Sequence, residues 1–179
     1  MMKKILFLFI LGHLITDHLH GQVVNTSYVT QYGEKVLQLS IIVPANIGET
    51  WKLFTTDEGL KKWIAPVAKV DMKIGGSITT NYDAHKTIDD TSSIKLDIIN
   101  YIEYEMLTLK VNLNDNFPPE AKNEDKNLQE IIQLVKVDEH KTKIISTMVG
   151  WGQGAHWDKV YGFFEKGNDW TYREILKLF

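Results

Sequence analysis

Alternation of apolar and polar residues predicts a series of β-strands along most of the chain. The first strand is Lys35–Val43, which is rich in β-branched and other apolar residues and ends at Pro44. The strands predicted after it cover residues 67–74, 77–84, 94–101, 105–112, 128–137 and 143–151. Because most of them are joined by short turns, as at Gly75-Gly76, the pattern indicates an antiparallel sheet.

Helical spacing interrupts this alternation between the first two strands. Ile47, Trp51 and Phe54 lie four and three residues apart, which predicts a helix over residues 45–55 with one face on a core. Thr56-Asp57 then offers N-cap side chains for a second short helix, residues 58–63. We therefore expect a helical hairpin after the first strand.

A long amphipathic helix is predicted at the C-terminus. Its apolar face follows a spacing close to 3.6 residues, at Trp157, Tyr161, Phe164, Thr171, Ile175 and Leu178. Gly167 lies within this pattern, where glycine costs roughly 1 kcal/mol relative to alanine. We expect either a kink at Gly167 or a break, with Asp169 capping a second helical piece. Together the elements predict an α+β fold in which a curved antiparallel sheet surrounds the terminal helix and encloses a cavity.

One segment fits neither pattern. Residues 114–127 contain Pro118-Pro119 and several acidic residues, a composition typical of surface loops. We predict a surface insertion that is the least ordered part of the chain after residue 21.

The N-terminal residues 1–21 have the composition of a secretory signal. Lys3 and Lys4 supply a positive end, and Ile5–Ile15 form an apolar run of about eleven residues, short of the roughly 20 that span a bilayer. We expect cleavage after Gly21, with an uncleaved anchor as the alternative. Cleavage would leave one domain, residues 22–179, with no membrane span. The chain has no cysteine, which for an exported protein favours a bacterial periplasm or exterior.

Charge and composition narrow the function classes. After removal of residues 1–21, Lys and Arg number 18 and Asp and Glu 22, which gives a formal charge of −4. With no basic stripe to neutralise phosphates, nucleic-acid binding is not expected. The lack of cysteine excludes a thiolate nucleophile, a Cys-ligated zinc and a disulfide.

Three stretches of the sequence resemble a known superfamily. They are Val43-Pro44-Ala45 with Trp51–Thr55 and Gly59–Trp63; Val70-Asp71 with Gly75-Gly76; and Gly150-Trp151 with Trp157, Tyr161, Trp170 and Leu176. In order and spacing they resemble the START-like, SRPBCC or helix-grip superfamily, and within it the domains related to the activator of heat-shock protein 90 ATPase. The resemblance implies a curved sheet gripping the C-terminal helix, two short helices after the first strand, and a hydrophobic cavity between sheet and helix.

The resemblance implies little about activity, since relatives include lipid carriers, cyclases and co-chaperone domains. We expect a hydrophobic small molecule or lipid as ligand, with no cofactor and no metal. The predicted ligand-binding residues are Trp63, Tyr82, His85, Tyr101, Glu103, Trp151, His156, Trp157 and Tyr161.

Several side chains have alternative interpretations. Trp51 and Trp63 would either line a ligand entrance or pack the helical hairpin onto the sheet. Asp83 and His85 are two residues apart, so they would either ligate a metal ion together or lie at an exposed strand end. Glu103 and Glu105 would act in acid–base chemistry if they point into an apolar cavity, or lie on the solvent face.

Three functions therefore stay open from the sequence. The favoured one is a non-catalytic, exported binding domain for a hydrophobic or amphipathic molecule. The second is a protein-interaction module of the heat-shock ATPase activator type. The third is a cyclase- or hydratase-like enzyme in which Glu103, Glu105, His85 or His156 transfers a proton.

Overall fold

Nine β-strands form one curved antiparallel sheet in the computed structural model, which describes residues 21–179. The strands are β1 (Val24–Asn25), β2 (Tyr28–Val29), β3 (Lys35–Val43), β4 (Val67–Val70), β5 (Ser77–Asn81), β6 (Ile94–Ile102), β7 (Met106–Val111), β8 (Gln129–Asp138) and β9 (Lys141–Val149). Their spatial order is β1-β3-β9-β8-β7-β6-β5-β4, and β2 also pairs with β3. Apart from Gly21, the predicted signal sequence lies outside the described residues.

Four helices complete the described part of the chain. They are α1 (Ile47–Thr55), α2 (Asp57–Lys61), α3 (Pro119–Glu124) and α4 (Ala155–Leu176). The predicted fold class, with two short helices after Lys35–Val43 and a long C-terminal helix on the curved sheet, is confirmed.

Period-two alternation explains why one face of the sheet is buried. In β9, the alternate residues Thr142, Ile144, Ser146 and Met148 are buried, and the residues between them are partly exposed. A strand with this pattern gains stability by placing its apolar set against a covering layer. Here α1, α2 and α4 provide that layer.

Capping side chains fix the helical hairpin. The side chain of Asn46 accepts a hydrogen bond from the backbone N–H of Glu49, whose carboxylate accepts one from the backbone N–H of Asn46, forming a capping box. Thr56 caps α2 as expected, because its Oγ1 accepts from the N–H of Gly59 at 2.9 Å. The indole Nε1 of Trp63 donates to the carbonyl of Leu53 at 2.9 Å, which ties the end of the hairpin to α1.

The terminal helix differs from the expectation at its centre. The predicted break is wrong, since α4 runs through Gly167 without interruption. Asp169 does not cap a second piece; instead its carboxylate pairs with Arg173 one turn later, with an Nε–Oδ2 distance of 2.8 Å. The apolar face of α4 packs on the core at both ends, through Trp157 and Val160 and through Tyr172 and Ile175, and such packing outweighs the roughly 1 kcal/mol cost of one glycine.

The segment over residues 114–127 is more than a surface insertion. It contains α3, and Ala121 of this helix and the following Leu128 are fully buried against α4 and the sheet. Asp125 accepts from the N–H of Leu128 at 3.1 Å and pairs with Lys110 at 2.6 Å. Buried apolar contacts therefore hold a segment whose composition indicated only a loop.

Two predicted strands end early because their last residues form turns. The strand predicted to residue 74 ends at Val70, and Ile74 at the end of the predicted strand is 69% exposed. The strand predicted to residue 84 ends at Asn81, whose side-chain oxygen accepts from the N–H of Asp83 at 3.0 Å. Such side-chain to backbone bonds compete with strand pairing.

A candidate ligand cavity

A cavity of about 310 Å³ lies between the inner face of the sheet and α4. This volume is at the lower end of the roughly 300–1,000 Å³ typical of ligand pockets. It is lined from the sheet by Ile78, Thr80, Tyr82, Ile94, Leu96, Leu109, Val111, Glu130 and Ile132; from the helical hairpin by Phe54, Leu60, Trp63 and Ile64; from α4 by Phe163, Phe164, Gly167, Asn168, Trp170, Thr171 and Tyr172; and from the segment before α3 by Asn112, Asn114, Asn116 and Phe117.

Aromatic rings from the hairpin and α4 form one apolar wall. Phe54 and Trp63 meet edge to face with ring centroids 5.2 Å apart, and Trp63 stacks on Tyr172 at 6.4 Å. All three residues are buried. Each edge-to-face or stacked pair stabilises its ring positions by about 0.5–1.5 kcal/mol beyond burial.

A second aromatic group lies where α4 meets the segment before α3. The ring of Phe117 lies 5.0 Å from that of Phe163 and 5.4 Å from that of Phe164. Phe163 is 57% exposed and the nearby Trp170 is 51% exposed, so apolar surface at this side of the cavity reaches solvent. Large exposed aromatic side chains around a cavity are typical of a binding-site rim.

Glu130 is the only carboxylate among the lining residues. It occupies an inward position of β8, between the buried residues Leu128 and Ile132. The hydroxyl of Ser146 donates to Glu130 Oε1 at 2.7 Å, and the hydroxyl of Tyr172 lies beside the same carboxyl group. Burial raises the pKa of Glu130, although these two hydroxyl groups act in the opposite direction.

The two tyrosines near Glu130 also have perturbed acidities. Burial, and then the charge of Glu130, raise the pKa of Tyr172 well above its ordinary value. Partial burial of the Tyr82 ring, and then the charge of Glu130, raise the pKa of Tyr82 as well. Both phenols are therefore neutral hydrogen-bonding groups at physiological pH.

The structure brings two of the nine predicted ligand-binding residues to this cavity, Trp63 and Tyr82. Trp63 also packs the hairpin, because its ring contacts Phe54 and its indole N–H bonds the end of α1. Tyr82, just after β5, is 49% exposed and lies at the cavity's edge. Ligand contact by either residue stays a prediction.

Three predicted aromatic residues lie in a second core cluster under the N-terminal half of α4. Trp157 is buried, and Trp151 contacts the ring of Tyr161 at 5.0 Å. None of the three lines the cavity. Glycine at position 152 is required here, because a Cβ would lie 2.0 Å from Nε1 of Trp157.

His156 joins this cluster to α3 instead of lining the cavity. Its Nε2 lies 2.8 Å from Oε2 of Glu124, and the indole Nε1 of Trp157 donates to the same oxygen at 2.9 Å. The hydrogen bonds from His156 and then Trp157 lower the pKa of Glu124. The arrangement holds the end of α3 against the start of α4.

His85, Tyr101 and Glu103 lie away from the cavity lining. His85 is exposed in the loop after β5, where its backbone N–H donates to Asp83 Oδ1. Tyr101 packs on Trp51 with ring centroids 6.5 Å apart, so Trp51 holds the hairpin on the sheet. Glu103 is exposed at the bend between β6 and β7 and hydrogen-bonds to Tyr104.

The four proposed proton-transfer residues, Glu103, Glu105, His85 and His156, are all absent from the cavity lining. They are therefore not placed to act on a molecule bound there.

Within residues 21–179, no group of three or more His, Asp or Glu side chains is arranged to hold a metal ion, so Asp83 and His85 have no third ligand. In the same range, no helix is long and apolar enough to cross a membrane.

Comparison with known proteins identifies the family. A family model described as activator of Hsp90 ATPase homolog 1-like protein matches residues 44–179. The chain belongs to this family. The resemblance noted in the sequence is thus confirmed, together with its place among START-like, SRPBCC folds. No curated protein matches the chain.

Solved structures of the same fold include proteins of different kinds. A conserved protein of unknown function from Enterococcus faecalis has a TM-score of 0.62 at 10% identity, covering 86% of this chain and 75% of that one. An HSP90 activator from Plasmodium falciparum has a TM-score of 0.52 at 14% identity, covering 73% and 88%. DynU16, from the dynemicin biosynthetic locus, has a TM-score of 0.55 at 14% identity, covering 78% and 45%. At these low sequence identities, the structural likeness establishes that the chain shares the fold of these proteins. It does not establish that the chain shares their activity.

Glu130 is the one carboxylate of the cavity lining, and sequence reasoning missed it. The signal was present, because Leu128, Glu130, Ile132 and Leu134 alternate along one strand and three of the four are apolar. A lone carboxylate in the inward register of such a strand indicates a functional position, since burying it unpaired is costly.

Proposed function

We propose that this chain binds a hydrophobic or amphipathic small molecule in the cavity between the sheet and α4. The observation that carries the proposal is the cavity itself, about 310 Å³ in volume with mostly apolar walls and a single carboxylate. Protein interiors otherwise pack with few voids larger than a water molecule. An apolar space of this size, with aromatic residues at its rim, suits a ligand of matching polarity.

The cavity volume sets the expected affinity. At about 30 Å³ for each atom-sized group, roughly ten non-hydrogen atoms fill the space. At about 0.5 kcal/mol for each of these atoms, the binding free energy is about 5 kcal/mol, and ligand atoms that extend past the rim add to it. We therefore expect dissociation constants from roughly 1 mM down to the micromolar range.

The test is a titration with N-phenyl-1-naphthylamine, an uncharged probe whose fluorescence rises in apolar surroundings. We expect saturable binding of about one probe per chain and displacement by 1-decanol. Native mass spectrometry of the freshly purified protein checks for a copurified molecule. No saturable probe binding together with a bare native mass would refute the proposal.

A second candidate function is a protein-interaction module of the heat-shock ATPase activator type. The family match over residues 44–179 favours it, as does the fold shared with the HSP90 activator from Plasmodium falciparum. Its test is the ATPase rate of a bacterial Hsp90 chaperone with and without this protein. A rate that stays unchanged at excess protein would remove this candidate.

We further propose that the chain is exported, on the basis of the charged end and apolar run within residues 1–21. Fractionation of bacteria that express the full chain, followed by intact mass measurement, tests this. The expected product begins at Gln22 and is found in the periplasm or the medium. A full-length mass in the cytoplasmic fraction would contradict export.

A further inference from the structure

We propose that the natural ligand is an amphipathic amine whose protonated nitrogen pairs with the carboxylate of Glu130. This inference rests on the proposed function, since it names the chemical class of the molecule bound in the same cavity. It concerns the polar end of the ligand, whereas the proposed function concerns its apolar body.

The charges around the cavity are one-sided. Glu130 lines the cavity, and the lining includes no Lys, Arg or His side chain. Glu130 also takes part in no ion pair with another described residue of 21–179. A half-buried carboxylate that faces an apolar cavity without a cation is unfavourable, so a cationic group on the ligand would supply the missing partner.

The hydrogen bonds of Glu130 leave room for such a partner. Ser146 donates to Oε1 at 2.7 Å, and Tyr172 lies beside the carboxyl group. An ionised carboxylate accepts about four hydrogen bonds, so these two hydroxyl groups do not saturate it. An ammonium group has only donors and would fill the remaining positions.

The aromatic ring of Tyr172, beside Glu130, favours the same charge. Tyr172 contacts Glu130 through its hydroxyl group, and its ring stacks on that of Trp63. Both rings line the cavity. The faces of such rings attract cations, and the attraction is stronger where water is excluded.

The same features disfavour other polar ends. A fatty acid would place a second carboxylate near Glu130, and like charges repel strongly in an apolar site. An alcohol is tolerated, because its hydroxyl group donates one hydrogen bond to Glu130. The expected order of affinity is amine, then alcohol, then carboxylate.

Three probes of one chain length test this order. 1-Decylamine, 1-decanol and decanoate are each titrated against the protein loaded with N-phenyl-1-naphthylamine at pH 7. We expect the amine to bind at least tenfold more tightly than the alcohol, and the alcohol more tightly than decanoate. Equal affinities for the three would overturn the inference without affecting the proposed function, whereas failure of all three and of the fluorescent probe would refute both.

A matched pair of variants assigns the preference to one side chain. Glu130→Gln keeps the shape of the side chain and removes its charge, so we expect the amine to lose at least tenfold in affinity and the alcohol to change less than twofold. Glu139→Gln removes an exposed carboxylate at the turn between β8 and β9 and should behave as the unaltered protein. An amine preference that survives in Glu130→Gln would overturn the inference. If that variant does not fold, the order of the three probes on the unaltered protein still decides.

Discussion

Gly167 offers the most discriminating test of the cavity, because it lies in the middle of the face of α4 that lines it. Phe163, Phe164, Asn168 and Thr171 flank it on this face. A Cβ at Gly167 would meet no heavy atom within 4 Å, so a larger side chain fits there. Gly167→Leu should therefore fill part of the cavity while the protein still folds.

Gly162 supplies the matched control on the same helix. A Cβ at this position also meets open space, but Gly162 does not line the cavity. Leucine is a better helix former than glycine by roughly 0.8 kcal/mol, so both Gly162→Leu and Gly167→Leu should stabilise α4 by about this amount. For a chain of this length the gain raises the Tm by about 2–3 °C.

Only the change at Gly167 should weaken binding. The leucine side chain occupies on the order of 100 Å³ of the 310 Å³ cavity, which is room for roughly three ligand atoms. At about 0.5 kcal/mol for each atom, the loss is about 1.5 kcal/mol, or roughly twelvefold in the dissociation constant. Thermal unfolding and titration with N-phenyl-1-naphthylamine measure the two effects. Equal affinity of the two variants, at equal stability, would refute the assignment of the ligand to this cavity.

Three further predictions concern Glu130 in the cavity and two carboxylates, Glu124 and Asp125, at the end of α3. Burial raises the folded-state pKa of Glu130 above its unfolded value near 4.3, so between these two pH values the folded protein binds more protons than the unfolded chain. The free energy of unfolding therefore falls as pH rises through that interval. Glu130→Gln should remove this fall, as urea unfolding at pH 4 to 8 would show. Asp125→Asn should lower the free energy of unfolding by about 2 kcal/mol, since it leaves the half-buried Lys110 without its partner, and urea unfolding measures this as well. Glu124→Gln weakens the acceptor of the Trp157 indole N–H, so amide hydrogen exchange should rise in α3 and stay unchanged in β8.

Each of these predictions has a clear contrary result. A pH profile of Glu130→Gln that runs parallel to that of the unaltered protein would show that its carboxyl is not desolvated. An Asp125→Asn variant as stable as the unaltered protein would mean that solvent compensates Lys110. Unchanged exchange in α3 after Glu124→Gln would mean that apolar contacts alone hold this helix.

The fold followed from the sequence because its elements have strong local patterns. β3 was predicted with its observed bounds, since the run Lys35–Val43 is apolar and ends at a proline. The helical hairpin followed from the spacing of Trp51 and Phe54 and from the cap at Thr56. Tertiary packing decided the rest: α3 forms because Ala121 is buried under α4, which no local pattern indicates.

The cavity was harder to predict than the fold, because aromatic residues line it and also fill the cores around it. Trp63 lines the cavity whereas Trp157 packs in a core, although the sequence predicts both on helices. Their difference depends on the curvature of the sheet and on the small residue Gly167 in the facing helix. Glu130 could have been predicted from the sequence, because the alternation of residues in β8 places its side chain on the inner face of the sheet.

The central claim is that an apolar molecule binds between the sheet and α4. A crystal structure of the protein grown with 10-bromo-1-decanol tests it most directly, because the bromine gives an anomalous signal at one end of the molecule. The account predicts a bromine peak within about 4 Å of side chains such as Ile78 and Leu109 in the cavity. A bromine peak only on the outer surface, with side chains closing the cavity, would contradict it.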